Sequence, residues 1–430
     1  MNEFAASSDI ERKEKFHSRI VILLGAPFTA QNFERTGIPY LSANFDVAVF
    51  DCLSWLGRSA EDVAHRQMHW DQYEKISSAE EFCQALKKFQ PAYAIDFIGL
   101  GGVTRELQRH LADAGVQFVV QKTGALPTPG LLVRAMWRLR IRLSKRGVVK
   151  DPSSEGNVGA APLPAIRAGR LDLVKRLLKA VYYRMSLSSP DISLLAGRKS
   201  QNFFTRRSKR LVWIASQDFH RYRQVLAEHS SGGEPRTPYI LFVDDNLPYA
   251  SDWKLLGLPA PVTPEVYYRA LGVFFTELEK YWGMPVVIAG HPSSEFHQIV
   301  NDSFGGRTIV YGRTAQLVMD CKLVLVHGST AASFAVLSGK PIMFMTTDEL
   351  QKAPYGLHIQ TMARTLTGRK ALNIDRSVDA AFFAESLTEP HKKKYEKYVV
   401  DYLRTEESTE THPWQAFSEF MIANERPATR

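Results

Sequence analysis

At 430 residues the chain is too long for one ordinary core and suits two domains of about 150–200 residues each. Hydrophobic residues at 45% and charged residues at 23% exclude a disordered chain. Lys and Arg number 54 against 45 Asp and Glu, and the resulting charge of +9 favours anionic partners without choosing among nucleic acid, anionic lipid and phosphorylated substrates.

The N-terminal stretch MNEFAASSDIERKEKF is polar and lacks the apolar core of a signal peptide. No run approaches the roughly 18–20 apolar residues of a spanning helix. Cys52, Cys83 and Cys321 are scattered, which points away from a disulfide framework or a zinc site and towards a reducing compartment. The expected location is the cytoplasm, with room for a peripheral position on the inner face of a bacterial inner membrane.

Residues Arg19–Pro27 open the first half as a short apolar run ending in Gly and Pro, the pattern of a buried parallel strand. Similar runs at Phe45–Phe50, Tyr93–Ile98 and Gln117–Gln121 alternate with helical segments at Ser78–Phe89 and Thr104–Ala114. Strand alternating with helix predicts a doubly wound sheet, with loops such as Gly99–Gly102 facing a ligand cleft. From about Leu131 to Lys199 basic residues crowd two helix-like segments around a Gly-, Pro- and Ser-rich loop at Asp151–Pro164. They read either as solvated helices or as a surface for anionic lipid or a phosphorylated acceptor; no recognised nucleic-acid motif accompanies the charge.

A strand at Arg210–Ala215 and a polar linker at Glu228–Pro238 lead to a second alternating series. Strands are expected at Tyr239–Val243, Met284–Ala289, Arg307–Val310, Leu323–Val326 and Pro341–Met345. Helices are expected at Pro264–Trp282, Ser294–Asp302, Thr314–Asp320 and Thr330–Ser338, with two more near Glu389–Thr405 and Pro413–Glu425.

Two turns of the second series stand at strand C-termini, where open α/β sheets bind ligands. In one, Gly290 permits a sharp exit, Pro292 stiffens the turn, His291 faces the cleft, and Ser293 or Ser294 can cap the next helix. In the other, Gly328 ends a buried strand and Ser329-Thr330 open a helix of small residues, a ready anion site without metal or lysine. Each turn alone is common; at successive strand ends the two together predict a phosphate site. Asp244 and Asp245 stand side by side at a third strand exit, where like charges raise at least one pKa and suit a base or nucleophile. Asp245 can equally be a plain turn residue. Asp218 is a further acidic candidate. The sequence contains no Walker loop, strand-linked GxGxxG, HExxH, GxSxG or Asp-x-Asp motif, which weakens kinase, dehydrogenase, protease and hydrolase readings.

These residues resemble bacterial GT-B glycosyltransferases that use CMP-activated 2-keto acid sugars, chiefly retaining β-Kdo transferases and more distantly bacterial sialyltransferases. The resemblance spans roughly Leu211–Thr346 and rests on Ser216-Gln-Asp-Phe, Phe242-Val-Asp-Asp-Asn-Leu-Pro, Gly290-His-Pro, and His327-Gly-Ser-Thr-Ala-Ala-Ser-Phe with Gly339-Lys-Pro. It implies an α/β GT-B fold of two Rossmann-like domains facing a cleft. Residues 1–230 would bind acceptor and carry the basic insertion at about 131–199; 231–385 would bind the nucleotide sugar; 386–430 would be helices packing back across the domains. His291, flanked by Gly290 and Pro292, would bind the CMP phosphate and help protonate it as it leaves. Gly328, Ser329 and Thr330 would hold the phosphate oxygens, and Asp244 would be the nucleophile of the retaining branch.

In the inverting branch a carboxylate here is a general base within an acidic-acidic-Gly motif. Asn246 stands in the Gly position, which favours the retaining branch. No metal or other cofactor is implied, because a leaving monophosphate can be stabilised by a His and a helix N-terminus. The implied partners are a CMP-sugar, a lipopolysaccharide or capsule-type glycan or glycolipid acceptor and, through the basic helices, an anionic membrane surface, with no nucleic acid. Alternatives are an inverting or UDP-sugar transferase, a sugar-nucleotide epimerase, and a non-catalytic carbohydrate or lipid-surface binder on the same fold.

Overall fold

The computed structural model describes residues 18–58, 67–99, 104–130, 188–229, 237–250, 253, 258–294, 298–376 and 391–424. The basic stretch from Leu131 to Arg184, residues 100–102 of the Gly99 loop and most of the linker at 228–238 fall outside them.

Two parallel sheets organise the chain. The first contains β1 (Arg19–Leu24), β2 (Asp46–Asp51), β3 (Tyr73–Lys75), β4 (Tyr93–Phe97), β5 (Gln117–Lys122), β6 (Ile192–Leu195) and β7 (Arg210–Trp213), in the order β3-β2-β1-β4-β5-β6-β7. The second contains β8 (Ile240–Val243), β9 (Val286–Ala289), β10 (Ile309–Val310), β11 (Leu323–Val326), β12 (Ile342–Thr346) and β13 (Leu372–Asn373), in the order β10-β9-β8-β11-β12-β13. This is an α/β architecture of two doubly wound, Rossmann-like units.

The central strands are apolar on both faces because helices cover both. Ile20 and Ile22 of β1 pack into one layer of core, Val21 and Leu23 into the other. Local signals set the helix ends. Ser78 accepts from the Glu81 N–H while the Glu81 carboxylate accepts from the Ser77 N–H, which starts the helix Ala79–Phe89. Pro264 sits at the start of the helix Pro264–Trp282, and Gly283, in the left-handed region, ends it. That helix buries Tyr267, Leu271, Phe274, Phe275 and Leu278 against the second sheet. No described helix is long and apolar enough to cross a membrane.

Three expectations need correction. Residues Ile192–Leu195, placed with the basic helical insertion, form β6 inside the first sheet between β5 and β7. Three apolar residues and a buried Ser193 suffice for a covered strand, and the neighbouring charge obscured them. The helix expected from Thr330 begins only at Ala332, because Ala332, Ser333 and Phe334 first make three-residue turns back to Ser329, Thr330 and Ala331. The segment expected as a helix at Ser294–Asp302 opens with a 3-10 turn at Pro292–Ser294 and is α-helical at Gln298–Asp302, while residues 295–297 lie outside the described residues.

The C-terminal segment touches both units. Tyr395 donates to the Lys340 carbonyl, and Tyr398 is buried in the second core. The helix Lys392–Tyr398 then widens into a π-helix at Val399–Leu403. There Gly197 of the first unit meets the backbone so closely that a Cβ would lie 2.5 Å from the Tyr402 nitrogen. Finally the helix Pro413–Asn424 inserts Trp414, Phe417 and Met421 into the core beneath β1 and β2.

Candidate functional site

The strand order of the second sheet reverses at β8. From it the chain steps outward to β9 and β10 on one side, and returns to β11 on the other. Such a switch point leaves a crevice at the strand C-termini. Asp244-Asp245-Asn246 come directly after β8, His291 after β9 and Gly328 after β11. The switch point therefore gathers all three segments that the sequence singles out.

The two carboxylates reach in different directions. Asp244 is 3% exposed. Its Oδ1 accepts from the Asn246 N–H at 2.9 Å, and Oδ2 is buried with no hydrogen bond of good geometry; the carboxyl has only looser contact with the His291 N–H and the Ser294 hydroxyl. Burial first, and the adjacent Asp245 charge, push its pKa up to about 7 against the lowering pull of the Asn246 and His291 N–H groups and the Ser294 hydroxyl. Asp245 instead crosses to the other turn, where Oδ2 accepts from the Gly328 N–H at 3.2 Å and from the Tyr355 hydroxyl at 3.0 Å. The Asp-Asp step thus links the His-Pro turn to the Gly-Ser-Thr turn.

On the His-Pro side, His291 Nδ1 lies 2.7 Å from the Ser293 hydroxyl and accepts from the Ser293 N–H at 3.2 Å. The Asn246 amide donates to the same hydroxyl at 2.9 Å. Asn246 is buried with φ +48°, the left-handed region that Asn tolerates better than most residues. That conformation turns its side chain back towards Ser293. The backbone at Gly290 is not left-handed; glycine is needed there because a Cβ would enter the Tyr311 ring.

On the Gly-Ser-Thr side, Gly328 lies under Tyr355 and His358, and a Cβ would come within 2.8 Å of both. His358 Nε2 lies 3.1 Å from the Gly328 carbonyl. Ser329 is half-buried and its hydroxyl accepts from the Ala331 N–H at 3.3 Å, whereas Thr330 is exposed. His327, immediately before, is fully buried: it lies 3.0 Å from the Tyr267 hydroxyl and 2.8 Å from the Met345 carbonyl, and burial lowers its pKa. It is a neutral clasp between β11, β12 and the helix 264–282.

Asp218 lies elsewhere. It sits in the first turn of the helix Gln217–His229, which packs on the helix Ala332–Leu337, and its carboxyl hydrogen-bonds Ser333. Burial pushes its pKa up to about 6. It stands behind the Gly-Ser-Thr turn, not beside Asp244.

Sequence reasoning passed over Tyr355, His358 and Tyr267, and gave Ser293 only a helix-capping role. Only Asn246 carried a local signal, since Asn before Leu-Pro at a strand exit is a left-handed candidate. Among the described residues, no three His, Cys, Asp or Glu side chains gather as a metal-binding group.

No protein-family model matches the chain, and no curated protein matches it. Among solved structures, the wall teichoic acid polymerase TagF is 11% identical with a TM-score of 0.48, over 96% of this chain and 90% of that one. A UDP-GlcNAc 2-epimerase from Neisseria meningitidis bound to UDP-GlcNAc is 11% identical with a TM-score of 0.48, over 94% of this chain and 100% of that one. The glycotransferase of kitacinnamycin is 11% identical with a TM-score of 0.47, over 95% of this chain and 99% of that one. At 11% identity and TM-scores of 0.47–0.48 these likenesses assign neither a family nor any residue's role.

Proposed function

We propose that the chain is a glycosyltransferase that moves a 2-keto acid sugar from a CMP donor to a surface-polysaccharide or lipopolysaccharide acceptor, with retention and without a metal. The supporting observation is the Asp244-Asp245 step between the His-Pro and Gly-Ser-Thr turns at the switch point of the second sheet. In this reading the phosphate lies between His291 and the Gly328-Ser329-Thr330 turn, and Asp244 waits on the sugar side. Acceptor binds to the first unit.

Burial and charge dictate the chemistry. Asp244 attacks the anomeric carbon through an oxocarbenium-like transition state, CMP departs with the bonding pair, and the acceptor hydroxyl then displaces Asp244, its proton passing to the released carboxylate. A carboxylate that titrates at about 7 is ionised often enough to attack at neutral pH, and its desolvation makes it a stronger nucleophile than a surface Asp. The leaving monophosphate needs donors rather than a cation, and His291 with the backbone of the Gly-Ser-Thr turn can supply them. The sequence has no Asp-x-Asp metal motif.

Thermal melting with CMP, UDP, GDP and NAD tests the donor. CMP is expected to raise the melting midpoint by several degrees and UDP to leave it unmoved; a shift with UDP alone replaces this reading by a UDP-sugar enzyme.

Asp245 has a different expected role. Its carboxylate occupies the Gly328 N–H, so an incoming phosphate meets a like charge at the turn meant to hold it. Asp245→Asn keeps an acceptor for Gly328 and Tyr355 while removing the charge. Calorimetric titration is expected to find CMP bound roughly tenfold more tightly by this variant. Weaker binding would show that Asp245 helps the nucleotide rather than competing with it.

A further inference from the structure

The hydrogen bonds around His291 fix more than its place. A backbone N–H can only donate, and the Ser293 N–H is aimed at His291 Nδ1. A proton on Nδ1 would set two hydrogens against each other. Asn246 Nδ2 likewise can only donate, and it gives a hydrogen to Ser293 Oγ. The remaining hydrogen of that hydroxyl is then directed at Nδ1, 2.7 Å away. Both donors converge on one ring nitrogen, which must be the lone-pair nitrogen; the ring proton is left on Nε2. Turning the ring over would set a carbon-bound hydrogen against both donors.

We propose that Asn246 and Ser293 are positioning residues that hold His291 as a neutral imidazole carrying its proton on Nε2. The inference rests on the phosphate reading of the site for its consequence, though not for its geometry. A neutral imidazole with Nε2–H stabilises the departing phosphate as a hydrogen-bond donor, and no proton passes from His291 to CMP. This departs from the general-acid role that the resemblance implies.

Asn246 is suited to the task for a reason its neighbours do not share. The chain must turn left-handed after Asp245, at φ +48°, and the same residue must carry a side-chain donor back to Ser293. Glycine would supply the turn without the donor. Gln or Ser would supply a donor at the cost of strain. Asn246 also ties the relay to Asp244, whose Oδ1 takes its backbone N–H. One residue therefore orients the proposed nucleophile and, through Ser293, the leaving-group histidine.

The test reads the proton directly. Nitrogen-15 NMR of the full chain with labelled histidine, assigned by loss of signals in His291→Gln, should find His291 protonated on Nε2 alone at pH 7.5, with or without CMP. Finding Nδ1 protonated, or both nitrogens protonated, overturns the inference. Ser293→Ala and Asn246→Gly, the latter keeping the left-handed backbone, each leave the backbone N–H of residue 293 but remove or weaken the hydroxyl donor. Each should therefore let a measurable minor fraction of the second tautomer appear and lower kcat roughly tenfold with little change in KM. Ser293→Thr should restore both. An unchanged tautomer in Ser293→Ala and in Asn246→Gly counts against the relay. The rate should rise with pH without the falling alkaline limb of a general acid. If the chain transfers nothing while the tautomer is as stated, the proposed activity fails and the relay stands.

Discussion

Asp244→Asn is expected to stop transfer and at the same time to steady the fold at alkaline pH. Loss of a covalent nucleophile costs at least roughly a thousandfold in kcat, while CMP binding, which does not use this side chain, stays near wild type. A radiolabelled-donor transfer assay beside calorimetric titration separates the two effects. Near-normal turnover in Asp244→Asn would move the role to Asp245 or Asp218.

The stability half comes from the sign of the shift. An unfolded Asp titrates near ~4, the folded Asp244 at about 7. Below the first value both states are protonated and burial of the group costs no ionisation energy. Between the two the unfolded chain releases its proton and the native state holds it, so stability is lost as pH rises to about 7 and is level above that. Asn cannot ionise and escapes this loss. The stability of Asp244→Asn relative to wild type should therefore improve by about 2–3 kcal/mol between pH 5 and pH 8. Asp218, pushed up to about 6, titrates in both proteins and cancels from the difference. The rate of the wild type should climb through the window in which its stability falls. A difference that stays flat with pH would mean that Asp244 is ionised throughout.

The strand exits that form this candidate site were legible in the sequence because Gly and Pro punctuate strand ends and the central strands of the second sheet are apolar. Leu323–Val326 and Pro264–Trp282 have the bounds expected of them, fixed by Cys321-Lys322 before the strand and by Pro264 and Gly283 around the helix. β3 and β13 have three and two residues, at sheet edges where a short pairing needs little apolar signal. β6 is apolar but adjoins a basic stretch whose charge dominated the reading. What encloses the site was out of reach for another reason. Tyr355 meets Asp245 across 110 positions, and Asn246 meets Ser293 across 47. No periodicity records such contacts. The sequence exposed the strand exits; tertiary packing decided which carboxylate turned towards which loop.

Trp414→Ala is expected to act on the core of the first unit, and mostly there. Trp414 is 1% exposed, with its ring 5.8 Å from Phe97 and 6.4 Å from Phe417, and it packs with Ile20, Ile22 and Ile95 under the first sheet. Its indole N–H donates to the Arg35 carbonyl at 3.1 Å, and Gly37 leaves room for the ring where any Cβ would overlap it. Removing it empties a large cavity and strips a partner from the Arg35 carbonyl, a loss of about 3–5 kcal/mol. That lowers the melting point of a unit this size on the order of 10 °C. The preceding helix keeps its own hold on the second unit through Tyr395 and Tyr398, so the damage should not spread there. Calorimetry with and without CMP resolves the question. The first unit's transition should fall, and the CMP-sensitive transition should stay in place. If both move together, the C-terminal segment is a strap that makes the two units fold as one, and the π-helix against Gly197 is where that coupling passes.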